Sequence, residues 1–409
     1  MLVKLLIENV FSFGIQKEFV MVSGREKSLE NGQFYNVNGV CLNKIAGVYG
    51  LNGSGKSDFI KCLDYLKKIV TGEILPDAYK NSVFQSQDFQ RQLFIIVFIQ
   101  NGTWFRYNLE IFNHKIRREA LMLVGPEHEE YVMLFERTFD GNSSKLFLNK
   151  DLRTNWNCKD GFFEGLIQED CPILKLLSNN CNEQSIDILN AYLWFKNTLV
   201  VITDEEDSSL NMVKEIDLNH NFKNFVERMM NSIDLNFISL KLNNKDIHDY
   251  FLSTEAVNLE DMKRRISLSK EKELTYATHI GEILMVKMDD RYLVKELLIE
   301  RMINDIKSTS SYVEASCVTK RIFSLACVFY DVLFNNKVVF VDDLGCCIDS
   351  LLIRRLMEKF VNLKTDLGQL IFTDVKPMLL DLDILSQDEM WFVEKDNNGC
   401  TDLFPLNCY

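Results

Sequence analysis

The fold is decided by one short stretch of the sequence, Gly50-Leu51-Asn52-Gly53-Ser54-Gly55-Lys56-Ser57. It fits the pattern Gly-x-x-x-x-Gly-Lys-[Ser/Thr] at every specified position. The apolar run Ile45–Tyr49 before it predicts a buried strand, and apolar residues at helical spacing from Ser57 to Gly72 predict a helix. A strand before and a helix after are the context that a phosphate-binding loop requires, so the stretch predicts a P-loop that binds ATP.

Each residue type in this loop has a physical role. The glycines allow backbone angles that turn consecutive N–H groups toward one anion, and the helix directs its positive end at the same place. We expect Lys56 to reach the β- and γ-phosphates and the Ser57 hydroxyl to ligate Mg²⁺. The residues predicted to bind ATP here are Gly50, Asn52, Gly53, Ser54, Gly55, Lys56, Ser57 and Asp58.

A second acidic motif lies far along the chain. A P-loop requires a carboxylate at the end of a neighbouring strand to hold the hydrated magnesium ion. The apolar run Val338–Val341 leads directly into Asp342 and Asp343. This pattern predicts a buried strand that ends in a Walker B motif, with Asp342 and Ser57 as the metal-binding residues.

Sequence patterns divide the chain into three parts. Residues 1–150 are predicted to be rich in strands, and Asn101-Gly102 predicts a tight hairpin among them. Residues 151–273 are predicted to form a mainly helical insertion, and residues 274–409 return to alternating strands and helices. We therefore expect a head that is split in sequence, with residues 1–150 and 274–409 as its two halves.

Composition limits the class of protein. The chain has 409 residues and a formal net charge of −13, and 47% of its residues are hydrophobic. No apolar run reaches the roughly 18 residues of a membrane span, and the N-terminus is not typical of a signal peptide, so we expect a cytoplasmic protein. Its acidity argues against tight generic binding of DNA, although the basic residues 263–265 could contribute to a local contact. The 11 cysteines are scattered and contain no Cys-x-x-Cys pair, so we expect reduced thiols and no zinc site.

Several further segments resemble a known family. The opening segment Leu6–Gly14, the P-loop and the long interval before Asp342 resemble the ABC-type ATPase class of SMC and RecF proteins. Within that class, the chain is similar to the prokaryotic AAA-type ATPase/GTPase family that includes RloA-like and abortive-infection ATPases. The segment Ser316–Phe323 aligns with the family's Ser-x-Gly-Thr-Lys-Arg-Leu-Phe signature, and residues 369–373 and 389–395 resemble its closing strands.

This resemblance implies an α/β fold: an ABC-type P-loop NTPase head with a mixed sheet, flanking helices and an antiparallel β-subdomain. It also implies a homo-oligomer, at least a dimer, in which each ATP lies between one head's P-loop and the other head's signature. It thereby adds Ser316 to the predicted ATP-binding residues. Such ATPases commonly stand beside a nuclease or another effector protein in anti-phage defence, so an effector is an expected partner.

The chain departs from the family pattern at several positions. The signature glycine is Val318, whose branched side chain adds bulk where backbone should approach a phosphate. The glutamate that usually follows the Walker B aspartate is Asp343, and a side chain about 1 Å too short can cost on the order of a hundredfold in rate. No histidine follows the strand at residues 369–373, and Gly345 and Asp349 replace a usual aspartate and a usual histidine. We therefore expect ATP binding to be intact and ATP hydrolysis to be weak, with Asp343 as the candidate catalytic residue. The alternative is that the alignment with the family is shifted by a few residues, in which case a catalytic glutamate lies elsewhere.

Three functions stay open on the sequence alone. A nucleotide-gated scaffold, which holds or releases an effector with little hydrolysis, is the preferred interpretation. An active ATPase that cycles in defence or DNA-end processing is the alternative. A nuclease is the third, and its only candidate is the acidic run Asp204–Asp207, for which a surface loop is the simpler explanation. No base-reading motif decides between ATP and GTP.

Overall fold

The structure of the protein is a computed structural model. It describes residues 1–24, 34–76, 91–126, 131–139, 141, 143–150, 152, 167–180, 185–203, 212–233, 236–251, 259–269, 272–278, 281–363, 367–376 and 379–406. The acidic run 204–207, the candidate for a nuclease site, lies outside the described residues.

The β-strands are numbered in chain order. They are β1 Leu2–Glu8, β2 Lys17–Val20, β3 Phe34–Val37, β4 Val40–Asn43, β5 Ile45–Tyr49, β6 Arg91–Gln100, β7 Thr103–Phe112, β8 Lys115–Val124, β9 Tyr131–Phe139, β10 Ser144–Leu148, β11 Leu199–Ile202, β12 Phe237–Asp246, β13 Glu273–Thr278, β14 Gly281–Met288, β15 Arg291–Ile303, β16 Ile306–Ser311, β17 Val338–Val341, β18 Gln369–Asp374, β19 Met390–Lys395 and β20 Thr401–Pro405.

The α-helices are numbered in the same way. They are α1 Lys56–Thr71, α2 Ile173–Ser178, α3 Ile186–Leu193, α4 Met212–Leu218, α5 His220–Asn231, α6 Ile247–Phe251, α7 Leu259–Leu268, α8 Cys317–Phe334 and α9 Ser350–Asn362. A π-helical turn, Trp194–Thr198, continues α3, and a short 3₁₀ turn covers Gln387–Glu389. None of the described helices is both long enough and apolar enough to cross a membrane.

The chain forms two compact units. The first contains residues 1–204, 331–345 and 354–409, and the second contains residues 205–330 and 346–353. The predicted domain boundaries, at residues 150 and 273, differ from these bounds and stay a prediction. Strand β11, which lies inside the predicted insertion, pairs with β17 in a sheet of the first unit.

The first unit contains a mixed six-stranded sheet in the order β11-β17-β18-β5-β19-β20. The pairs from β11 to β19 are parallel, and β20 is antiparallel to β19. All residues of β5, β17 and β18 are buried, as expected for strands of a parallel sheet that is covered on both faces. The carboxyl ends of the parallel strands therefore meet at one edge, which is where such sheets place their sites.

The position of the Walker B strand corrects one expectation. A P-loop was expected to have the Walker B strand as its neighbour, but β18 lies between β17 and the P-loop strand β5 and pairs with both. The sequence gives the order of the strands along the chain but not their order in the sheet. The crossover from β17 places β18 between β17 and β5. The end of β18 consequently lies between the P-loop and Asp342.

A second sheet of the first unit is antiparallel, in the order β10-β9-β8-β7-β6-β1-β2. The predicted hairpin between β6 and β7 is confirmed: Asn101 and Gly102 have φ values of 51° and 80°, as a type I′ turn requires. Helix α1 lies in the core beside both sheets, since the Phe59 ring packs 5.1 Å from Phe19 of β2 and 6.1 Å from Phe340 of β17. The predicted mixed sheet, flanking helices and antiparallel β-subdomain are confirmed.

The second unit combines helices with an antiparallel sheet in the order β12-β15-β14-β13, and β16 also pairs with β15. Its core includes Ile247, Met262, Ile266, Ile283, Met285, Val294 and Val313. The long strand β15 and its partner β16 were missed from the sequence. Charged residues interrupt the apolar pattern of β15, and the exposed β16 has almost no apolar pattern to detect.

Candidate nucleotide-binding site

The P-loop has the backbone that its glycines predict. Gly53 and Gly55 have φ values of +81° and +110°, a region that side chains disfavour. A Cβ atom on Gly55 would lie 2.1 Å from Thr401 Oγ1, and one on Gly50 would lie 2.5 Å from the Val393 carbonyl oxygen. Strands β19 and β20 thus press against the loop from one side, which leaves no room for larger residues.

Helix α1 presents its first turn to the same place. It begins at Lys56, and its N-cap is Gly55, which has no side chain to accept hydrogen bonds from the first N–H groups. The first N–H groups of a helix have no partner within the helix, so they suit an anion. Ser57 and Asp58 lie in this first turn, where the sequence predicts them to bind the nucleotide and its metal ion.

The Lys56 ammonium crosses the P-loop that precedes it. Its Nζ donates hydrogen bonds to the carbonyl oxygens of Gly50 and Leu51, both at 2.8 Å. Burial lowers the pKa of Lys56, and the carboxylates of Asp342, Asp343 and Asp374 oppose that change. The Lys56 ammonium is therefore close to three carboxylates, which lie at the carboxyl ends of the parallel strands β17 and β18.

Thr373 of β18 holds the two predicted Walker B residues, Asp342 and Asp343. Thr373 Oγ1 donates a hydrogen bond to Asp342 Oδ1 at 2.5 Å and accepts one from the Asp343 N–H at 2.8 Å. Asp342 is 3% exposed and Thr373 is completely buried. Asp343 has a φ of +44°, a left-handed conformation that aspartate tolerates better than most residues. Thr373 thus holds the Asp342 carboxylate and the Asp343 backbone.

These elements line one cleft of about 310 Å³. Its walls are Asn52, Gly53, Gly55, Lys56, Ser57, Asp58, Asp342, Asp343, Val375 and Lys395. Most residues predicted for phosphate, metal and catalysis therefore come together here. Hydroxyl and carboxylate oxygens are hard donors, and Mg²⁺ is bound by one or two carboxylates together with waters and substrate phosphates. Ser57 and Asp342 fit that requirement.

A second cleft of about 650 Å³ adjoins the first. It is lined by residues 50–54 of the P-loop and by Phe392, Val393, Glu394, Lys395, Phe404 and Leu406. The rings of Phe392 and Phe404 are nearly parallel, at 21°, with centroids 6.1 Å apart. Gly50 and Ser54, two predicted ATP-binding residues, lie on this side. The Ser54 hydroxyl is buried without a hydrogen-bond partner among the described residues.

Sequence reasoning missed three polar residues at this edge: Thr373, Asp374 and Lys395. Lys395 lines both clefts, and it ends strand β19, which is parallel to β5. A usable signal was present, since polar residues directly after buried strands of one parallel sheet are expected to meet. Using this signal requires the order of the strands in the sheet, which the sequence does not give.

Polar groups at the end of β18 and directly after it contact Gly345. Asp374 accepts hydrogen bonds from the N–H groups of Gly345 at 3.0 Å and Lys376 at 2.7 Å. Lys376 Nζ donates to the Gly345 carbonyl oxygen at 2.5 Å. A Cβ atom on Gly345 would lie 2.7 Å from Asp374 Oδ2, so an aspartate at that position would bring two carboxylates together. The two positions at which the sequence was expected to depart from the family pattern, Gly345 and the segment after β18, are therefore in contact with each other.

Ser316 lies in the second unit. Its hydroxyl accepts a hydrogen bond from the Thr319 N–H at 3.2 Å, and its carbonyl accepts one from Lys320 at 3.0 Å, so it caps the start of α8. Val318 occupies the first turn of that helix, and Asp349 accepts from the Leu351 N–H at the start of α9. The role of Ser316 toward a nucleotide stays a prediction, as do the other site assignments.

Comparisons with known proteins agree with this site. A family model described as "AAA domain, putative AbiEii toxin, Type IV TA system" matches residues 45–373, from the P-loop strand to the threonine beside Walker B. No curated protein matches the chain.

Two solved structures illustrate the structural similarity. The SMC head domain from Thermotoga maritima has a TM-score of 0.42 and 12% identity, with 99% of this chain and 98% of that chain covered. An SmcHead bound to the C-winged helix domain of ScpA has a TM-score of 0.42 and 13% identity, with 99% and 97% covered.

Proposed function

The chain belongs to this AAA-domain family, and from that premise we propose that it is a nucleotide-gated subunit that binds ATP and Mg²⁺ and associates head to head with a second copy. Hydrolysis is weak, and the associated state holds or releases an effector protein. One observation carries the proposal: the P-loop and the Walker B aspartates face one cleft. The family match, which covers 329 of 409 residues when counted from 45 to 373, supports the ATP-binding part.

The two clefts together fit the parts of a nucleotide. The smaller one offers helix N–H groups, Lys56 and two metal-binding oxygens, which suit a triphosphate with its Mg²⁺. The larger one offers an aromatic wall of Phe392 and Phe404, which suits a base. Lys395 lines both clefts, so we place it beside the phosphates that connect the two parts.

Weak hydrolysis is proposed because the catalytic position is compromised in two ways. Asp343 is one methylene shorter than the usual glutamate, and its backbone is tied to Thr373. No histidine stands at the end of β18 or directly after it, and the Asp374 carboxylate there accepts hydrogen bonds from two backbone N–H groups. Neither residue is thereby suited to position an attacking water, and the loss of one general base typically costs roughly 10²–10⁴ in rate.

Association and biological role rest on the family. The Ser316 segment would supply the surface that completes the partner's nucleotide site. The family description names a toxin of a type IV toxin–antitoxin system, and we propose a role in anti-phage defence of the abortive-infection kind, with a nuclease or other toxic protein as effector.

The experiment that tests the proposal measures binding, association and phosphate release on one preparation. We expect Mg²⁺-dependent binding of ATP, ATP-dependent dimers in analytical ultracentrifugation, and phosphate release close to that of Lys56→Ala. Lys56→Ala should weaken ATP binding by about a hundredfold, since it removes charge-assisted hydrogen bonds worth about 3 kcal/mol. Lys359→Ala, an exposed lysine outside both clefts, is the matched control. ATP binding that Lys56→Ala leaves unchanged would overturn the proposal.

The alternative, an active ATPase, keeps one observation in its favour. Asp343 lines the phosphate cleft, so a carboxylate is present where a catalytic base would act. Phosphate release that clearly exceeds the Lys56→Ala level and falls in Asp343→Ala or Asp343→Asn would establish this alternative.

A further inference from the structure

The strand β16 lies at an edge of the sheet of the second unit, and the proposed function does not use it. Among the described residues, β16 pairs only with β15, with which it forms a hairpin closed by the two-residue turn Asn304-Asp305. Residues 306–309 are exposed, so both faces of the strand are open to solvent over that length. Such an edge presents a row of backbone groups with which another strand can pair.

The register of this hairpin shows which backbone groups point to the open edge. The Tyr312 N–H donates a hydrogen bond to the Leu297 carbonyl oxygen of β15 at 2.8 Å. In an antiparallel strand, the backbone groups of alternate residues point in the same direction. The groups of residues 306, 308 and 310 therefore point toward β15, and those of Lys307, Thr309 and Ser311 point away from it, toward the open edge.

Strand β16 lacks most of the features that keep edge strands apart. Natural edges are protected by proline, by β-bulges or by charged side chains. The strand contains no proline, its pairing with β15 has no register shift, and its sole charged residue is Lys307. The Lys307 ammonium lies 2.9 Å from the buried Glu300 carboxylate, so an acidic partner is already supplied within the chain. The Ile306 side chain is 70% exposed and adds apolar surface at the start of the strand.

From this geometry we propose that β16 pairs with β16 of a second copy of the chain, antiparallel and about a twofold axis at Thr309. In this register the two Thr309 residues exchange a pair of backbone hydrogen bonds across the axis. Lys307 lies opposite Ser311 of the second copy, so no like charges face each other. Opposed threonines are a favourable cross-strand pair.

Charge favours a second copy as the occupant of this edge. The chain has a formal net charge of −13, so two copies repel each other over much of their surfaces. Residues 306–311 contain no aspartate or glutamate, and two copies can therefore approach each other here. A strongly charged foreign strand would find no matching row of charges on this edge, whereas the sequence of β16 is complementary to itself in the twofold register.

This association should be weak and independent of nucleotide. Each copy contributes one short strand, and small interfaces are typical of weak or transient association. We expect a Kd on the order of 100 µM, so that ATP-dependent dimers are measured separately at about 5 µM protein. The pairing does not depend on the proposed function. Assemblies larger than a dimer, built from both interfaces, are a consequence that does rest on it.

The test is sedimentation equilibrium of the full chain without nucleotide, from about 5 to 200 µM protein. Wild type and Lys56→Ala should both show a monomer–dimer equilibrium, because the P-loop takes no part. Thr309→Pro removes the outward N–H but none of the hydrogen bonds to β15, and it should weaken association by about tenfold or more. Thr309→Ala keeps that N–H and is the matched control, expected to stay within about threefold of wild type.

A charge exchange at the same position decides the question even if the proline variant fails to fold. Thr309→Asp and Thr309→Lys each bring like charges together at the axis, so each alone should be monomeric at about 200 µM. An equimolar mixture of the two brings a carboxylate opposite an ammonium and should restore association. The inference is overturned if wild type stays monomeric at about 200 µM, or if the two charged variants associate as wild type does. These readouts require no ATP, so their failure is separate from failure of the proposed function.

Discussion

Replacing Thr373 with valine tests how the Walker B residues are held. Valine has nearly the shape of threonine but can neither donate nor accept, so the change removes two hydrogen bonds from one buried atom. One is the 2.5 Å bond to the Asp342 carboxylate and the other is the 2.8 Å bond from the Asp343 N–H. Because the site is completely buried, water cannot replace either bond.

The size of the effect follows from the two bonds. A hydrogen bond to a charged group contributes about 1.5–3 kcal/mol and one between neutral groups about 0.5–1.5 kcal/mol. Thr373→Val should therefore lower the free energy of unfolding of the first unit by about 3 kcal/mol, which corresponds to a fall in Tm of roughly 6–12 °C. Thr373→Ser keeps both bonds and loses only a methyl group, so it should cost about 1 kcal/mol.

Nucleotide binding should also be weakened more by Thr373→Val than by Thr373→Ser. Changing a group that orients a metal ligand typically costs about 10–100-fold in metal affinity. Thr373→Val should raise the Mg²⁺ concentration required for ATP binding by that factor, while Thr373→Ser stays within about threefold of wild type on the same reasoning. Differential scanning calorimetry and a Mg²⁺ titration of ATP binding measure the two effects. If valine and serine variants behave alike in both assays, Thr373 does not hold Walker B through its hydroxyl.

Three further predictions concern other parts of the molecule. Lys395→Ala should weaken ATP and ADP binding equally, by about tenfold for one charge-assisted contact of about 1.4 kcal/mol, whereas Lys359→Ala has no effect in the same calorimetric titration. Gly55→Ala should abolish ATP binding and lower the Tm, because its Cβ would lie 2.1 Å from Thr401 Oγ1 at a φ of +110°; a variant with wild-type affinity would contradict this. Hydrogen bonds from two lysines and a serine lower the pKa of Glu300 to about 2, below its ordinary 4.5, so its stabilising effect is present above about pH 4.5 and is lost as pH falls toward 2. Glu300→Gln should remove that part of the acid dependence of unfolding, measured by circular dichroism, and an unchanged acid profile would show that this carboxylate does not contribute.

Strands and helices were predicted correctly where one local sequence pattern was sufficient to define them. Strand β5 has the predicted bounds, and helix α1 ends at Gly72, which adopts the left-handed conformation expected of a glycine cap. Strand β15 was not predicted because its side chains meet different neighbours along its length. Its sequence therefore shows no single alternation of apolar and polar residues. Its partners, β12 on one side and β14 and β16 on the other, are set by pairing across the chain.

The candidate site shows the same division. Gly50 to Ser57, Asp342 and Asp343 were predicted from sequence because each belongs to a motif of adjacent residues. Thr373 and Lys395 were not identified, since each acts through a partner that is distant in the chain. The match between Asp374 and Gly345 was also hidden, because the two residues lie on different segments that meet at the carboxyl edge of the sheet.

The sequence by itself predicted a P-loop followed by a helix, an acidic strand end suited to a metal ion, and an altered signature and catalytic position. These properties are carried by backbone freedom, charge and hydrophobic period, which are local. Only the tertiary structure decided that β18 lies between β5 and β17, and that its Thr373 therefore holds both Walker B aspartates. Strand order in a parallel sheet depends on how crossovers pack, which is a property of the whole fold, and the residues that meet at its edge become neighbours only when that order is set.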